Sequence, residues 1–300
     1  MLYVLSHSGS DLSGNLILGN PAYETWQASK LAAPEPLPAR ALGRSYARLA
    51  EQAIGAGVAG SSAAGEFPKF CAVRELAGSA TPHVLVKFSG ADESPAVRRW
   101  ADLLVSDHLA LECVATLPAL QAAKSRIVSH AGRTFLEVER FVRHGMFGRS
   151  RLSSLTTLNA ALLGDGTTDW TRLATRFAAA GLLAPQDVHR IAHLWWFGRL
   201  IANTDMHAGN LSFHPQGTLL LAPAYDMLSM LYAPLRGGEL PTRAFEPPLP
   251  LPPERPVWAT ACAAAVSFWA CASKDDRISA SFKTLCARNA KRLRQIAERV

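Results

Sequence analysis

The feature that most constrains this chain is an apolar run that gives way to a polar loop. Ile191-Ala192-His193-Leu194-Trp195-Trp196-Phe197-Gly198-Arg199-Leu200 reads as a buried helix, and residues 201–210 follow it with Asp205 and Asn210 five positions apart. A second acid, Asp226, stands sixteen residues after Asn210. Between them, Leu211-Ser212-Phe213 and Thr218-Leu219-Leu220-Leu221 read as two short strands, joined by the turn His214-Pro215-Gln216-Gly217. Such a hairpin would return Asp226 to the mouth that holds Asn210.

This spacing has a chemical use. A phosphoryl transferase needs a carboxylate that accepts or orients the acceptor hydroxyl's proton. It also needs hard oxygen ligands for Mg²⁺, which binds through few protein groups and keeps waters. Asp205 fits the first role, and Asn210 and Asp226 fit the second, in the order that kinases use. The plainer reading makes Asp205 and Asn210 the shapers of a polar turn and Asp226 a helix cap at Met227. The three together, after an apolar helix and around a hairpin, favour chemistry. A zinc site on Asp205 and His207 lacks further His or Cys at a matching spacing.

With 300 residues, 49% hydrophobic and 18% charged, the chain can bury a real core and is not disordered. Its net charge of +7 draws on Arg288, Lys291, Arg292, Arg294 and Arg299 near the end, which read as a solvated helix face. Cys71, Cys113, Cys262, Cys271 and Cys286 are odd in number and contain no Cys-x-x-Cys pair. A reducing cytoplasmic location is therefore expected, with neither a disulfide framework nor a zinc ribbon. The start of the chain lacks the pattern of a signal peptide. The longest apolar run, residues 258–272, is too short to span a bilayer.

Residues 1–36 contain strand-like pieces, Leu2-Tyr3-Val4-Leu5 and Asn15-Leu16-Ile17-Leu18, before a Pro-rich linker. Residues 41–55 read as a helix with Leu42, Tyr46, Leu49 and Ile54 on one side. The small residues that follow, Ser61-Ser62-Ala63-Ala64-Gly65-Glu66-Phe67-Pro68-Lys69, would let backbone N–H groups approach an anion, with Lys69 as a point charge. Cys71-Ala72-Val73-Arg74 and His83-Val84-Leu85-Val86-Lys87-Phe88 read as paired strands. Lys87 sits in the apolar one, where it either points to solvent or reaches phosphates. The helix expected over 96–117 offers Asp107 as its partner, with His108 beside it. Ile127-Val128 and Thr134 to Val138 form a hairpin that runs into Glu139-Arg140-Phe141-Val142-Arg143, a candidate hinge whose Glu139 and Phe141 backbones would meet adenine.

From about 153 the pattern turns helical, with Leu173, Phe177, Ala180 and Leu182 as core positions and Pro185 opening a helix. Seven prolines in residues 241–256 mark an extended crossing segment, and two helices follow, about 257–272 and 276–299. A beta-rich first half before a helical second half gives a two-lobed α+β protein.

Taken in order, residues 62–69, Val86-Lys87-Phe88, residues 138–143, residues 203–210 and Tyr225-Asp226-Met227-Leu228-Ser229 resemble the HipA-type serine/threonine kinases, the toxin components of bacterial toxin–antitoxin modules. The resemblance implies a kinase-like fold, with residues 1–36 as an N-terminal appendage or incomplete subdomain, 37–145 as the small ATP-binding lobe and 146–300 as the helical catalytic lobe. It implies ATP and Mg²⁺, with Asp205 as catalytic base and Asn210 and Asp226 as metal ligands. The nucleotide would be held by Ala64, Gly65, Glu66, Phe67, Pro68, Lys69, Lys87, Glu139, Arg140, Phe141, His207, Asn210, Tyr225 and Asp226. It further implies autophosphorylation at Ser62 or the adjacent Ser61, where the added charge would be repelled from a phosphate site. A protein substrate such as an aminoacyl-tRNA synthetase and a DNA-binding antitoxin are the partners it implies. No membrane and no direct nucleic-acid contact is expected. The chain departs from the family pattern at Val142, where an acid is frequent, and at Gly209, where a Lys is frequent. The competing readings are a small-molecule kinase, since residues 203–210 also resemble aminoglycoside and choline phosphotransferases, and a weakened pseudokinase that acts as a binding module.

Overall fold

The computed structural model describes residues 9, 11–55, 67–75, 78 and 80–300. Its first half is built on an antiparallel sheet ordered β1-β2-β4-β3, from β1 (Lys69–Val73), β2 (His83–Phe88), β3 (Ser125–His130) and β4 (Arg133–Glu139). Side chains alternate between the faces of a strand, and β2 shows the consequence. Val84, Val86 and Phe88 join Phe135 on one face, where Leu42, Tyr46 and Ala50 cover them. Those three residues recur every four positions along a helix (Leu42–Gly55), so a single stripe seals the sheet. Lys87 points to the opposite face, against a twenty-residue helix (Pro95–Val114) whose first turn is capped by Ser94.

Among the described residues the α-helices are, in chain order, α1 (Asn20–Leu31), α2 (Leu42–Gly55), α3 (Pro95–Val114), α4 (Leu155–Leu162), α5 (Trp170–Ala179), α6 (Pro185–Leu200), α7 (Arg255–Ala272) and α8 (Ala280–Ala297). α6 is the apolar run predicted to be buried. Ile191, Leu194, Trp196, Phe197 and Leu200 enter the core, and α6 lies between α5 and α7. The indole of Trp269 on α7 donates to the Leu200 carbonyl at 3.0 Å, which satisfies the end of α6. Asp169 caps α5 through the amides of Thr171 and Arg172, a contribution of about 1 kcal/mol. No helix among the described residues is long and apolar enough to cross a membrane. All five cysteines are free.

Some expectations need correction. Residues 15–18 form no strand. Gly14 and Gly19 take left-handed φ values of 73° and 89°, and Pro21 starts α1, a helix the strand reading missed. The stretch Leu2-Tyr3-Val4-Leu5 lies outside the described residues. Ala180 is exposed as the cap of α5, and Leu183 is buried instead. The hairpin after Asn210 turns on Gly217 alone (φ 82°). β8 (Ser212–Gln216) runs through His214 and Pro215 and pairs Gln216 with Thr218 of β9 (Thr218–Leu221). Asp226 begins no helix, so the capping alternative does not hold. Short pairs complete the strands: β5 (Arg143–His144) with β6 (Gly148–Arg149), and β7 (Ser153–Ser154) with β8.

The N-terminal segment is tied to the stretch after β4. Asp11 accepts from the Arg140 guanidinium at 2.6 Å and from Arg143 at 2.9 Å. Arg143, 2% exposed, also donates to the carbonyls of Leu12 and Gly14. Burial pushes the Asp11 carboxyl up, but the two guanidinium groups outweigh it and hold its pKa below the ordinary value.

Candidate active site

The loop between α6 and β8 is held from within. α6 ends at Leu200 with Ile201 as its cap, and Ala202 takes a left-handed φ of 60°, which turns the chain out of the helix. The buried Asn203 side chain accepts the Asp205 amide at 2.9 Å. The Asn210 amide nitrogen donates to the Asp205 carbonyl at 3.0 Å. Asparagine has one carbonyl oxygen and one NH₂, so the bond made by Nδ2 leaves Oδ1 as the group with ligand character. The indole of Trp170 donates to the His207 carbonyl at 3.2 Å, and His207 Nδ1 accepts the Gly209 amide at 3.0 Å. Asp205 itself is exposed at the loop's rim.

Across from this loop, Lys87 is buried and its ammonium meets Asp107 of α3 at 2.9 Å. It also pairs with Asp226. Asp107 closes the set: its other oxygen accepts the amide of Met227 at 3.0 Å. Asp107 and His108 were both candidates for this role in the sequence, and geometry selects Asp107. His108 turns instead to Ser125 at 2.9 Å. Asp226 has φ 60°, a conformation that Asp tolerates and that aims consecutive side chains differently from an extended strand. Burial disfavours the Lys87 ammonium, yet the carboxylates of Asp107 and Asp226 raise its pKa. Burial likewise disfavours the Asp226 carboxylate, but Lys87 lowers its pKa, with smaller contributions from Lys69 and His207. Lys69 is the cross-strand partner of Lys87 in β1, so the small lobe sends two lysines toward one carboxylate.

The other predicted residues fall into three groups. Phe141 and Tyr225 meet, their rings 6.1 Å apart, and the Tyr225 hydroxyl donates to the Gly209 carbonyl at 2.9 Å and lies 2.7 Å from Ser212 Oγ. Phe141, the loop before β8 and the residue before Asp226 are therefore linked through Tyr225. Three residues point elsewhere. Phe67 is buried against Trp100 of α3, Arg140 faces Asp11, and the Glu139 carboxylate pairs with Arg74 at 3.0 Å. The Glu139 amide donates to the Lys124 carbonyl at 2.8 Å, so any adenine contact from this residue has to come from its carbonyl. The Pro68 carbonyl accepts the Phe88 amide at 3.1 Å. Ser61, Ser62, Ala64, Gly65 and Glu66 lie outside the described residues. The sequence reading missed the Tyr225 hydroxyl's role and the anchoring by Trp170. No local pattern marks either, because both partners come from distant segments.

Lys69 and Lys87, cross-strand partners on one face of the sheet, give the arrangement the positive charge an anion requires. Among the described residues no cluster of three His, Cys, Asp or Glu side chains could hold a metal ion by itself. The donor set of one carboxylate and one amide oxygen fits a cation that takes its remaining ligands from water and a bound phosphate.

Comparison with known proteins places the chain. Residues 61–299 match the family model of the HipA-like C-terminal domain. "Toxin YjjJ" of Escherichia coli (strain K12) is 34% identical over 302 residues, which covers 100% of this chain and 67% of that protein. A solved structure of the Shewanella oneidensis MR-1 toxin–antitoxin system, a complex of HipA, HipB and operator DNA, is similar with a TM-score of 0.55 at 15% identity. The match covers 99% of this chain and 78% of the HipA chain. At that identity the likeness speaks for the fold, a two-lobed kinase-like α+β architecture.

Proposed function

Because the chain belongs to the family of HipA-like C-terminal domains, we propose that it is an ATP- and Mg²⁺-dependent serine/threonine protein kinase of the HipA toxin type. The observation that carries this reading is the meeting of Lys87, Asp107 and Asp226 beside the loop of Asp205 and Asn210. Lys87 and Lys69 bind and orient the phosphates of ATP. Phe141 and Tyr225 form an aromatic wall suited to a purine. Asn210 Oδ1 and Asp226 would hold the metal, which would supply neutralisation of phosphate charge. Asp226 is paired with Lys87. Asp205 orients the acceptor hydroxyl and takes its proton as the new O–P bond forms, while the bond from the γ-phosphorus to the bridging oxygen breaks and ADP leaves. Its exposed position at the rim suits contact with a protein substrate.

Autophosphorylation at Ser62 or Ser61 would silence the enzyme by placing about two negative charges near the phosphate site. A translation-related protein, such as an aminoacyl-tRNA synthetase, is the proposed substrate class. An antitoxin comparable to the HipB that accompanies the Shewanella HipA is the proposed partner.

The test is direct. Purified protein is incubated with ATP and Mg²⁺ and its intact mass is measured. The expected result is a gain of one phosphoryl group, mapped to Ser62 or Ser61 and lost in Asp205→Ala. Transfer of label to an aminoglycoside or to choline instead would overturn the protein-kinase reading, and nucleotide binding without any transfer would replace it with a binding module.

A further inference from the structure

Helix α3 carries acids on two of its faces, and each holds a different part of the molecule. Asp107 faces the cleft and binds both Lys87 and the Met227 amide. Asp102, five residues earlier, sits well round the helix from it at about 100° per residue. Its carboxylate accepts the Ser279 amide at 2.7 Å and the Ser279 hydroxyl at 2.6 Å. Ser279 is the N-cap of α8, with its hydroxyl accepting the Phe282 amide. Asp102 is 2% exposed, and burial raises its pKa above the ordinary carboxylate value, against the hydrogen bonds from Ser279 and the charge of Arg99. A carboxylate buried this deeply persists only when its oxygens are matched, and both are.

The same helix reaches the chain beyond Asp226 at three levels. Asp107 takes the Met227 amide, Ser106 Oγ lies 3.4 Å from Ser229 Oγ, and Arg99 donates to the Tyr232 carbonyl at 3.3 Å. From the far side α8 backs this segment. Asn289 donates to the Tyr232 hydroxyl at 2.7 Å, and Phe282 packs edge-on against Tyr232 at 5.7 Å, with the Arg99 guanidinium 4.7 Å above the Phe282 ring. Residues 227–232 are thus sandwiched between α3 and α8, and the Asp102–Ser279 hydrogen bonds join the two outer layers beside the Arg99–Phe282 contact.

We infer that Asp102 and Ser279 are positioning residues: they clamp α3 to the C-terminal helices and thereby hold Asp107 in register with Lys87 and Met227. In this arrangement the Lys87-bearing site is kept assembled by the C-terminal helices, and its integrity depends on a contact outside the cleft. The effect on nucleotide use rests on the kinase reading above, whereas the mechanical claim does not.

Two measurements separate them. Hydrogen exchange at the Met227 amide reports the position of Asp107 without any catalysis. Ser279→Ala is expected to accelerate that exchange by about tenfold, the size of one lost charge-assisted hydrogen bond, while Ser279→Thr, which keeps the hydroxyl, restores protection. Leu285→Ala, a packing change on α8 away from Asp102, serves as the stability control and is expected to leave Met227 protected. In the second measurement, Ser279→Ala raises KM for ATP by about tenfold and leaves KM for the protein substrate unchanged. Unchanged Met227 exchange in Ser279→Ala, or equal acceleration in Leu285→Ala, would overturn the clamp and reduce Ser279 to a helix cap. If wild type transfers no phosphate, the kinase reading fails while the exchange experiment still decides the clamp.

Discussion

Asp107 binds Lys87 at 2.9 Å with one oxygen and the Met227 amide at 3.0 Å with the other, so a single buried carboxylate joins α3, the small-lobe sheet and the segment after Asp226. Removing its charge should act on stability and on nucleotide use together. Asp107→Asn is expected to cost about 3–5 kcal/mol, the range for breaking a buried pair from one side, reduced where Asp226 still holds Lys87. Denaturant unfolding measures the first effect, and KM for ATP, expected to rise, measures the second.

The Lys87–Asp226 pair makes a prediction in pH. Asp226 has its pKa lowered from 3.8, so the stability it contributes is present above that value and is lost as pH falls through the folded pKa. Lys87 has its pKa raised from 10.5, so its contribution is present below that value and is lost only as pH rises through the still higher folded pKa. The difference in unfolding free energy between wild type and Asp226→Asn should therefore be flat across the neutral range and shrink in acid below about pH 3.8. A difference that changes between pH 6 and 8 would assign the effect to a histidine.

Asp205 and Asn210 should separate chemistry from loop structure. Asp205 is exposed, so Asp205→Ala is expected to change stability by less than about 1 kcal/mol and to reduce phosphoryl transfer by about 10²–10⁴-fold. Asn210 is buried and bonded to the Asp205 carbonyl, so Asn210→Ala should lower both transfer and melting temperature, and raise the Mg²⁺ concentration that gives half-maximal rate. Rate measurements across a Mg²⁺ series, beside thermal melts, distinguish the two variants.

Asp11 is the counter-charge for Arg140 and Arg143, the second of them buried. Asp11→Asn weakens both pairs and leaves the Arg143 guanidinium with the Gly14 and Leu12 carbonyls. The expected result is faster proteolysis within residues 11–31, with α2 and the sheet still protected. Equal cleavage rates in wild type and variant would show that the segment is held by something other than this charge contact.

Ala202 adopts φ 60° one residue past the α6 cap, a left-handed conformation that costs a non-glycine residue about 1 kcal/mol. Ala202→Gly should recover part of that cost and raise the melting temperature slightly, without loss of the Leu231 amide bond to its carbonyl.

Much of this protein could be read from local pattern. The burial of α6 follows from its composition, the strand reading of β2 from its β-branched apolar residues, and the β3–β4 turn from Ala131-Gly132, whose φ values are 50° and 75°. The candidate chemistry of Asp205, Asn210 and Asp226 followed from spacing, because a loop and a hairpin of fixed length leave few ways to arrange them. What the sequence could not decide were pairings between segments far apart in the chain. Asp107 rather than His108 for Lys87, Asp102 for Ser279, Tyr225 for the Gly209 carbonyl, and Asp11 for Arg140 are each choices among several polar partners that the sequence offers. Such choices depend on helix rotation and on which charges the core can bury with every oxygen matched, and both are set only when the two lobes pack.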